Sequence, residues 1–152
     1  MRNLPQAHLT LVGDGPLRSK LTQLVDELNL THRVHFVGTV AQKSLPAFYN
    51  SAEVLILASA REGMPNVVLE SLACGTPVIG TRIGGIPEVV EEPRVGVLMD
   101  RRTPEDLVAA YGALSENRPR RDDIRQYSMR FNWSAIARKQ LALYQNILKG
   151  GL

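Results

Sequence analysis

The chain of 152 residues is 44% hydrophobic but only 5% aromatic, and carries 18 Lys+Arg against 15 Asp+Glu. That length suits one domain able to bury a core, and its aliphatic character favours a Val/Ile/Leu-rich parallel sheet over an aromatic platform for nucleic-acid bases. A single cysteine, Cys74, excludes an intrachain disulfide and fits a reducing compartment; no apolar run nears the ~18 residues of a membrane span, and residues 1–5 do not read as a signal peptide.

Short apolar runs alternate with helical patterns along the whole chain. Residues 8–12 predict a strand, ended by the turn Gly13-Asp-Gly-Pro16, after which Leu17, Leu21, Leu24, Val25 and Leu28 recur at helical spacing. Residues 34–37 predict a second strand closed by Gly38. Leu45 to Asn50 then read as a short helix with Ser44 as N-cap and Pro46 in its first turn. Residues 54–57 predict a third strand, apolar throughout and expected to be fully buried. Pro65 to Cys74 predict a helix that begins on proline and stops at Gly75. Strands follow at 77–80 and 95–99, separated by one or two helical turns over Ile86–Glu91. Thr103 is expected to cap a helix reaching about Ser115, and two more helical segments, near 121–130 and 134–148, close the chain. Alternation of this kind specifies an α/β doubly wound, Rossmann-like parallel sheet, in which ligands lie at the carboxyl ends of the strands. The Gly-rich turns at Gly13–Gly15, Gly38, Gly63 and Gly84–Gly85 fall at those ends.

Charge is unevenly distributed. Residues 1–116 carry 10 Lys+Arg and 13 Asp+Glu, whereas residues 117–152 carry 8 and 2. This basic C-terminal helical segment is expected either to be a solvated face or to meet a partner domain or an acidic membrane surface. Nucleic acid is not expected, since no aromatic interleaving or reading motif accompanies the charge.

The stretch with most chemical content is Glu62-Gly-Met-Pro-Asn-Val-Val-Leu-Glu70. It reads as a loop carboxylate, a turn, a helix start and a second carboxylate one to two turns in. Free N–H groups at the helix start, with the positive end of the helix dipole behind them, suit an anion or sugar hydroxyls. Taken alone, the same residues also fit a solvated loop Glu and a helix Glu in a capping contact. Gly13-Asp-Gly-Pro16 is neither a G-x-G-x-x-G fingerprint, because Arg18 occupies the third glycine position, nor a Walker A loop. His8, His32 and His35 lack ligand-like spacing, and no metal site is expected. Packing is the expected role of Cys74.

Taken together, Glu53-VLILASAREGMPNVVLESLACGTPVIGTRIGGIPEVV-Glu91 resembles the C-terminal, nucleotide-sugar-binding half of a family-4 glycosyltransferase with the GT-B fold. Residues 9–22, 34–40, 47–55 and 131–144 resemble further elements of that half, so the likeness covers roughly residues 8–148 as a single domain. The resemblance implies transfer of a sugar from a UDP-, GDP- or ADP-sugar, with retention of configuration, to a glycan, lipid or small-molecule acceptor. It implies no metal and no cofactor beyond the donor substrate, and a cytoplasmic setting with peripheral membrane contact through the basic segment. Glu62 would contact the donor sugar near the reacting centre, and no nucleophile is assigned to it. Gly63, Met64, Pro65, Asn66 and Val67 would hold sugar hydroxyls and phosphate. Glu70 would accept hydrogen bonds from the ribose. Gly13, Gly15, Gly38, Thr39 and Val40 would line the base and phosphate side, and residues 81–85 would border the cleft.

Parts of the family pattern are missing. The N-terminal acceptor domain, the first strand of the donor half and the Arg/Lys pair that neutralises the diphosphate have no counterpart here. In the family's sheet order, 3-2-1-4-5-6, that strand is central, so its neighbours are expected to lack ladder partners. A separate chain carrying the N-terminal half is the implied partner. The competing expectations are a non-catalytic nucleotide-sugar-binding module and an inactive truncated product.

Overall fold

The computed structural model describes Met1 and residues 3–150, and divides into two units, Met1–Ala47 and Phe48–Leu152. The N-terminal unit contains β1 (Leu9–Val12), α1 (Arg18–Glu27) and β2 (Val34–Gly38). β1 and β2 pair in parallel with Leu9 opposite Val34, and a register shift after Leu11 sets Val12 opposite Gly38. The Arg33 guanidinium gathers the preceding stretch, donating to the carbonyls of Leu4 and Pro5, each at 2.9 Å. α1 closes on Asn29, whose φ of 54° is left-handed. The Asn29 and Leu30 N–H groups donate back to the Asp26 and Val25 carbonyls, so asparagine does here what glycine does at most such helix ends. The leucine spacing makes α1 a helix, yet none of its residues is buried. Buried apolar side chains in this unit come down to Leu30 and Val34.

α2 (Leu45–Ser51) spans the boundary between the units. Ser44, expected as its N-cap, is instead the last residue of a 3-10 turn over Gln42–Ser44 that runs directly into the helix. That turn already supplies helical geometry, so no extended capping residue is needed there.

The C-terminal unit contains β3 (Leu55–Leu57), α3 (Asn66–Ala73), β4 (Val78–Thr81), α4 (Ile86–Val89), β5 (Gly96–Met99), α5 (Pro104–Glu116), α6 (Arg121–Ser128) and α7 (Trp133–Leu148). Its sheet runs β3-β4-β5, all parallel, with Leu55 opposite Val78 and Val78 opposite Gly96. Every residue of β4 is buried. Alternate side chains of β4 enter opposite cores, as strand geometry requires. Val78 joins Val68, Leu72, Ile86, Val89, Val95, Ile124 and Tyr127, whereas Ile79 joins Met99, Ala110 and Leu114. Helices therefore cover both faces of this sheet, as the doubly wound reading predicts.

One expectation about strands is corrected. β3 is not fully buried: Ile56 is 37% exposed, because β3 is the edge of its sheet. The parallel strands form two hydrogen-bonded pieces, β1-β2 and β3-β4-β5, as expected for a sheet whose central strand has no counterpart in this sequence.

Helix ends in this unit follow the local chemistry. The Thr103 side chain accepts from the Asp106 N–H at 3.2 Å, as an N-cap should. α3 ends at Gly75 with φ +76°: the Gly75 N–H reaches the Leu72 carbonyl and the Thr76 N–H the Ser71 carbonyl, each at 2.9 Å. A side chain on Gly75 would also sit 2.7 Å from the Arg121 carbonyl. Both reasons require glycine.

The basic segment is largely exposed, but four of its arginines have partners in earlier elements. Arg121 donates to the Ala52 carbonyl at 2.6 Å, and Arg125 to the Cys74 carbonyl at 3.1 Å. Arg118 pairs with Glu53 at 3.0 Å, and Arg130 with Glu91 at 2.7 Å. Arg125 thus places positive charge on a carbonyl at the C-terminus of α3, where the helix dipole favours it.

Candidate functional site

α3 begins one residue later than expected. Pro65 is its N-cap, in extended conformation, and not its first helical residue. The Pro65 carbonyl accepts the Val68 N–H at 3.0 Å. The N–H groups of Asn66 and Val67 have no acceptor among the described residues, and both residues are exposed. The first turn of α3 therefore presents two uncommitted donors at the positive end of the helix.

The loop before α3 is built against a second loop. The Gly85 N–H donates to the Gly63 carbonyl at 2.8 Å. Gly84 has φ +52°, and a Cβ there would lie 2.0 Å from the Glu62 carbonyl oxygen. The two backbones approach too closely for any side chain, which explains the Gly84-Gly85 pair. Thr81, buried at the end of β4, donates to the Ser59 carbonyl at 2.9 Å and anchors the start of the Glu62 loop.

Each carboxylate is held by one hydroxyl. Ser59 Oγ donates to Glu62 Oε1 at 2.6 Å, and the Tyr49 hydroxyl donates to Glu70 Oε2 at 2.9 Å. Burial, followed by the bond to Glu70 and its negative charge, pushes the Tyr49 hydroxyl well above its ordinary 10.0, so it stays a donor. Each carboxylate keeps a second oxygen without a hydrogen bond among the described residues. Both glutamates are half-buried, between the solvent and the core.

In the N-terminal unit the structure brings Gly13 and Gly38 together, the Gly13 N–H donating to the Gly38 carbonyl at 2.8 Å. Asp14 Oδ1 accepts from the Gly15 N–H at 2.7 Å and shapes the turn. Arg18 lies beside both turns, 3.5 Å from Asp14 Oδ2 and over the Phe36 ring. Thr39 is exposed and Val40 half-buried just beyond. Among the described residues no group of three or more His, Cys, Asp or Glu gathers.

The sequence reading gave no role to Tyr49 or Ser59 and placed Thr81 only at the border of the cleft. None belongs to a spaced motif, and each acts through a hydroxyl whose target lies 3 to 22 positions away. Arg18 was noticed only as the residue that spoils a glycine fingerprint.

Hydroxyl-braced carboxylates before the helix start and within α3, with uncommitted N–H donors between them along the chain, are polar groups suited to a polyhydroxylated anion. Comparison with known proteins agrees at the level of family. The model of the glycosyl transferases group 1 matches residues 1–131. This chain belongs to that family. The D-inositol 3-phosphate glycosyltransferase of Corynebacterium urealyticum is 33% identical over 140 residues, covering 89% of this chain and 33% of that protein. Among solved structures, sucrose-phosphate synthase from Thermosynechococcus elongatus superimposes with TM-score 0.82 at 31% identity, over 98% of this chain and 40% of the other. Anabaena HepE, solved in complex with UDP-glucose, superimposes with TM-score 0.77 at 25% identity, over 93% of this chain and 42% of the other. The fold is the Rossmann-like one of GT-B glycosyltransferase C-terminal domains. The chain spans about a third of the curated relative's length and about two fifths of the solved chains.

Proposed function

We propose that this chain is the donor-binding domain of a retaining glycosyltransferase of family 4, acting on a nucleoside-diphosphate sugar. The observation that carries the reading is the pair of glutamates, each fixed by one buried or half-buried hydroxyl group, on either side of the uncommitted N–H groups of Asn66 and Val67. Glu70 accepts the ribose hydroxyls through charge-assisted hydrogen bonds. The α3 start, with Gly63 and Met64 before it, stabilises the leaving diphosphate without a metal ion. Glu62 contacts the transferred sugar. Gly13, Gly15, Gly38, Thr39 and Val40 supply the base and phosphate side. A bound UDP-glucose in the HepE structure supports a nucleotide sugar as the donor class.

Activity on an acceptor belongs to the same proposal and requires an N-terminal acceptor half, supplied by a separate chain or by further sequence. The acceptor class is a glycan, a lipid or a small molecule, and the setting is cytoplasmic. Peripheral membrane contact would rest on Arg120, Arg138, Lys139 and Lys149, which form no ion pair among the described residues.

Thermal unfolding of the chain with UDP, GDP and ADP, and with their sugars, tests the donor reading. The expected result is a cooperative melt raised by one nucleotide, by about 2.7 kcal/mol of stability at 100 times its dissociation constant. No shift with any of them would overturn it.

A further inference from the structure

Glu70 leans on a residue to which the sequence reading assigned no role. Tyr49 is 8% exposed, so its ring sits in the protein interior. Its backbone is fixed as well: the fully buried Thr76 donates its hydroxyl to the Tyr49 carbonyl at 2.6 Å. Thr76 is itself clamped, with its Oγ1 accepting from Arg121 at 3.1 Å and its carbonyl accepting from Ser71 at 2.9 Å. A rigid chain of contacts thus runs from α6 through the α3–β4 turn to the Tyr49 hydroxyl, and ends on Glu70 Oε2.

We propose that Tyr49 is a positioning residue for nucleotide binding, holding the Glu70 carboxylate in the rotamer that receives the ribose hydroxyls. The inference rests on the donor reading of Glu70 given above. A glutamate side chain has three rotatable bonds, and a free one loses that freedom when it binds a ligand. One hydrogen bond to Oε2 takes that loss in advance. A carboxylate has about four lone-pair directions, so Oε1 and the rest of Oε2 remain for two hydroxyl donors. Burial and the Glu70 carboxylate raise the Tyr49 pKa, so its hydroxyl keeps the proton it donates to Glu70.

The test titrates the full chain with whichever of UDP, GDP and ADP raises its melting temperature most, and with the 2′,3′-dideoxy form of that nucleotide. Tyr49→Phe should weaken the ribonucleotide by about 3- to 10-fold, the loss of one hydrogen bond, and leave the dideoxy form unchanged. Glu70→Ala should weaken the ribonucleotide by about 10- to 150-fold, and adding Tyr49→Phe to it should cost nothing more. Equal weakening of both nucleotides by Tyr49→Phe, or no weakening, would overturn the positioning role and leave the donor reading intact. Unchanged affinity in Glu70→Ala would overturn the donor reading itself. 3-Fluorotyrosine at position 49 gives a readout that keeps the hydroxyl: its ¹⁹F resonance should move on adding the ribonucleotide and not the dideoxy form, and identical responses would count against the proposal.

Discussion

The two units of this chain are built from the same ingredients and are finished to different degrees. The C-terminal unit buries Val68, Leu72, Val78, Ile79, Ile86, Val89, Val95 and Ile124 completely. In the N-terminal unit α1 buries nothing, and Leu17, Leu21 and Leu24 are 63, 40 and 46% exposed. Both have amphipathic helices and parallel strands. An apolar stripe on a helix specifies a face that can be covered, and only a neighbouring element decides whether it is. The braced glutamates lie in the well-packed unit, where Tyr49 and Thr81 are buried and can fix their partners. The turns at Gly13 and Gly38 lie in the other.

The sharpest way to break this comparison is to truncate a leucine in each unit. Leu72→Ala removes a fully buried side chain from the larger core and should cost about 2–5 kcal/mol in urea unfolding. Leu24→Ala, at a site 46% exposed, should stay within about 0.5 kcal/mol. Equal losses would mean that α1 is as well packed in solution as α3. Hydrogen exchange should show the same asymmetry, with α1 amides opening at lower free energy than those of β4.

How far the sequence could be read follows the same division. Short apolar runs and helical patterns placed every strand and the main helices, because run length and helical spacing follow backbone geometry. The Glu62–Glu70 spacing and the Gly84-Gly85 pair were legible because each is a local arrangement along the chain. Burial of β3 was not, since its composition is that of a central strand while its place is at an edge. The basic segment was read as a solvated face or a surface for a partner domain or membrane, and most of it is exposed, but its partners within the chain were not foreseen. Its arginines bind carbonyls and carboxylates from elements 39 to 69 positions earlier, and such long-range pairing has no periodic signature. The hydroxyl braces on the two glutamates were invisible for the same reason.

A middle-sized effect separates the site loop from the scaffold. Gly84→Ala must place a methyl group 2.0 Å from the Glu62 carbonyl oxygen at a left-handed φ. The conformational cost alone is roughly 1–2 kcal/mol, and the clash displaces the Glu62 loop as well. Nucleotide-sugar affinity should therefore fall more than nucleotide affinity, since Glu62 is assigned to the sugar and Glu70 to the ribose. Equal losses would place the damage in overall folding. The control is Gly112→Ala in α5, outside the proposed site, where nothing lies within 4 Å of the added Cβ.

The smallest effects should erase the difference between the units. Asp14–Arg18 in one and Glu53–Arg118 in the other are both exposed ion pairs, with side chains 40–59% accessible. Water screens such pairs, so Asp14→Asn and Glu53→Gln should each cost no more than about 1 kcal/mol. A residual distinction should appear in acid. The Arg118 hydrogen bond is the main reason the Glu53 carboxyl lies below its ordinary 4.5, with burial opposing and the Arg118 charge and Tyr111 hydroxyl assisting. A depressed folded-state pKa means that the unfolded chain takes up the proton first as pH falls. The contribution of Glu53 is therefore present above pH 4.5 and is lost as pH drops through the lower folded value. Glu53→Gln should remove that part of the acid sensitivity by lowering stability near neutral pH, by no more than about 1 kcal/mol, while leaving it unchanged below the folded value. If it instead lowers stability at neutral pH by as much as Leu72→Ala, charge pairing and not apolar burial is what distinguishes the C-terminal unit.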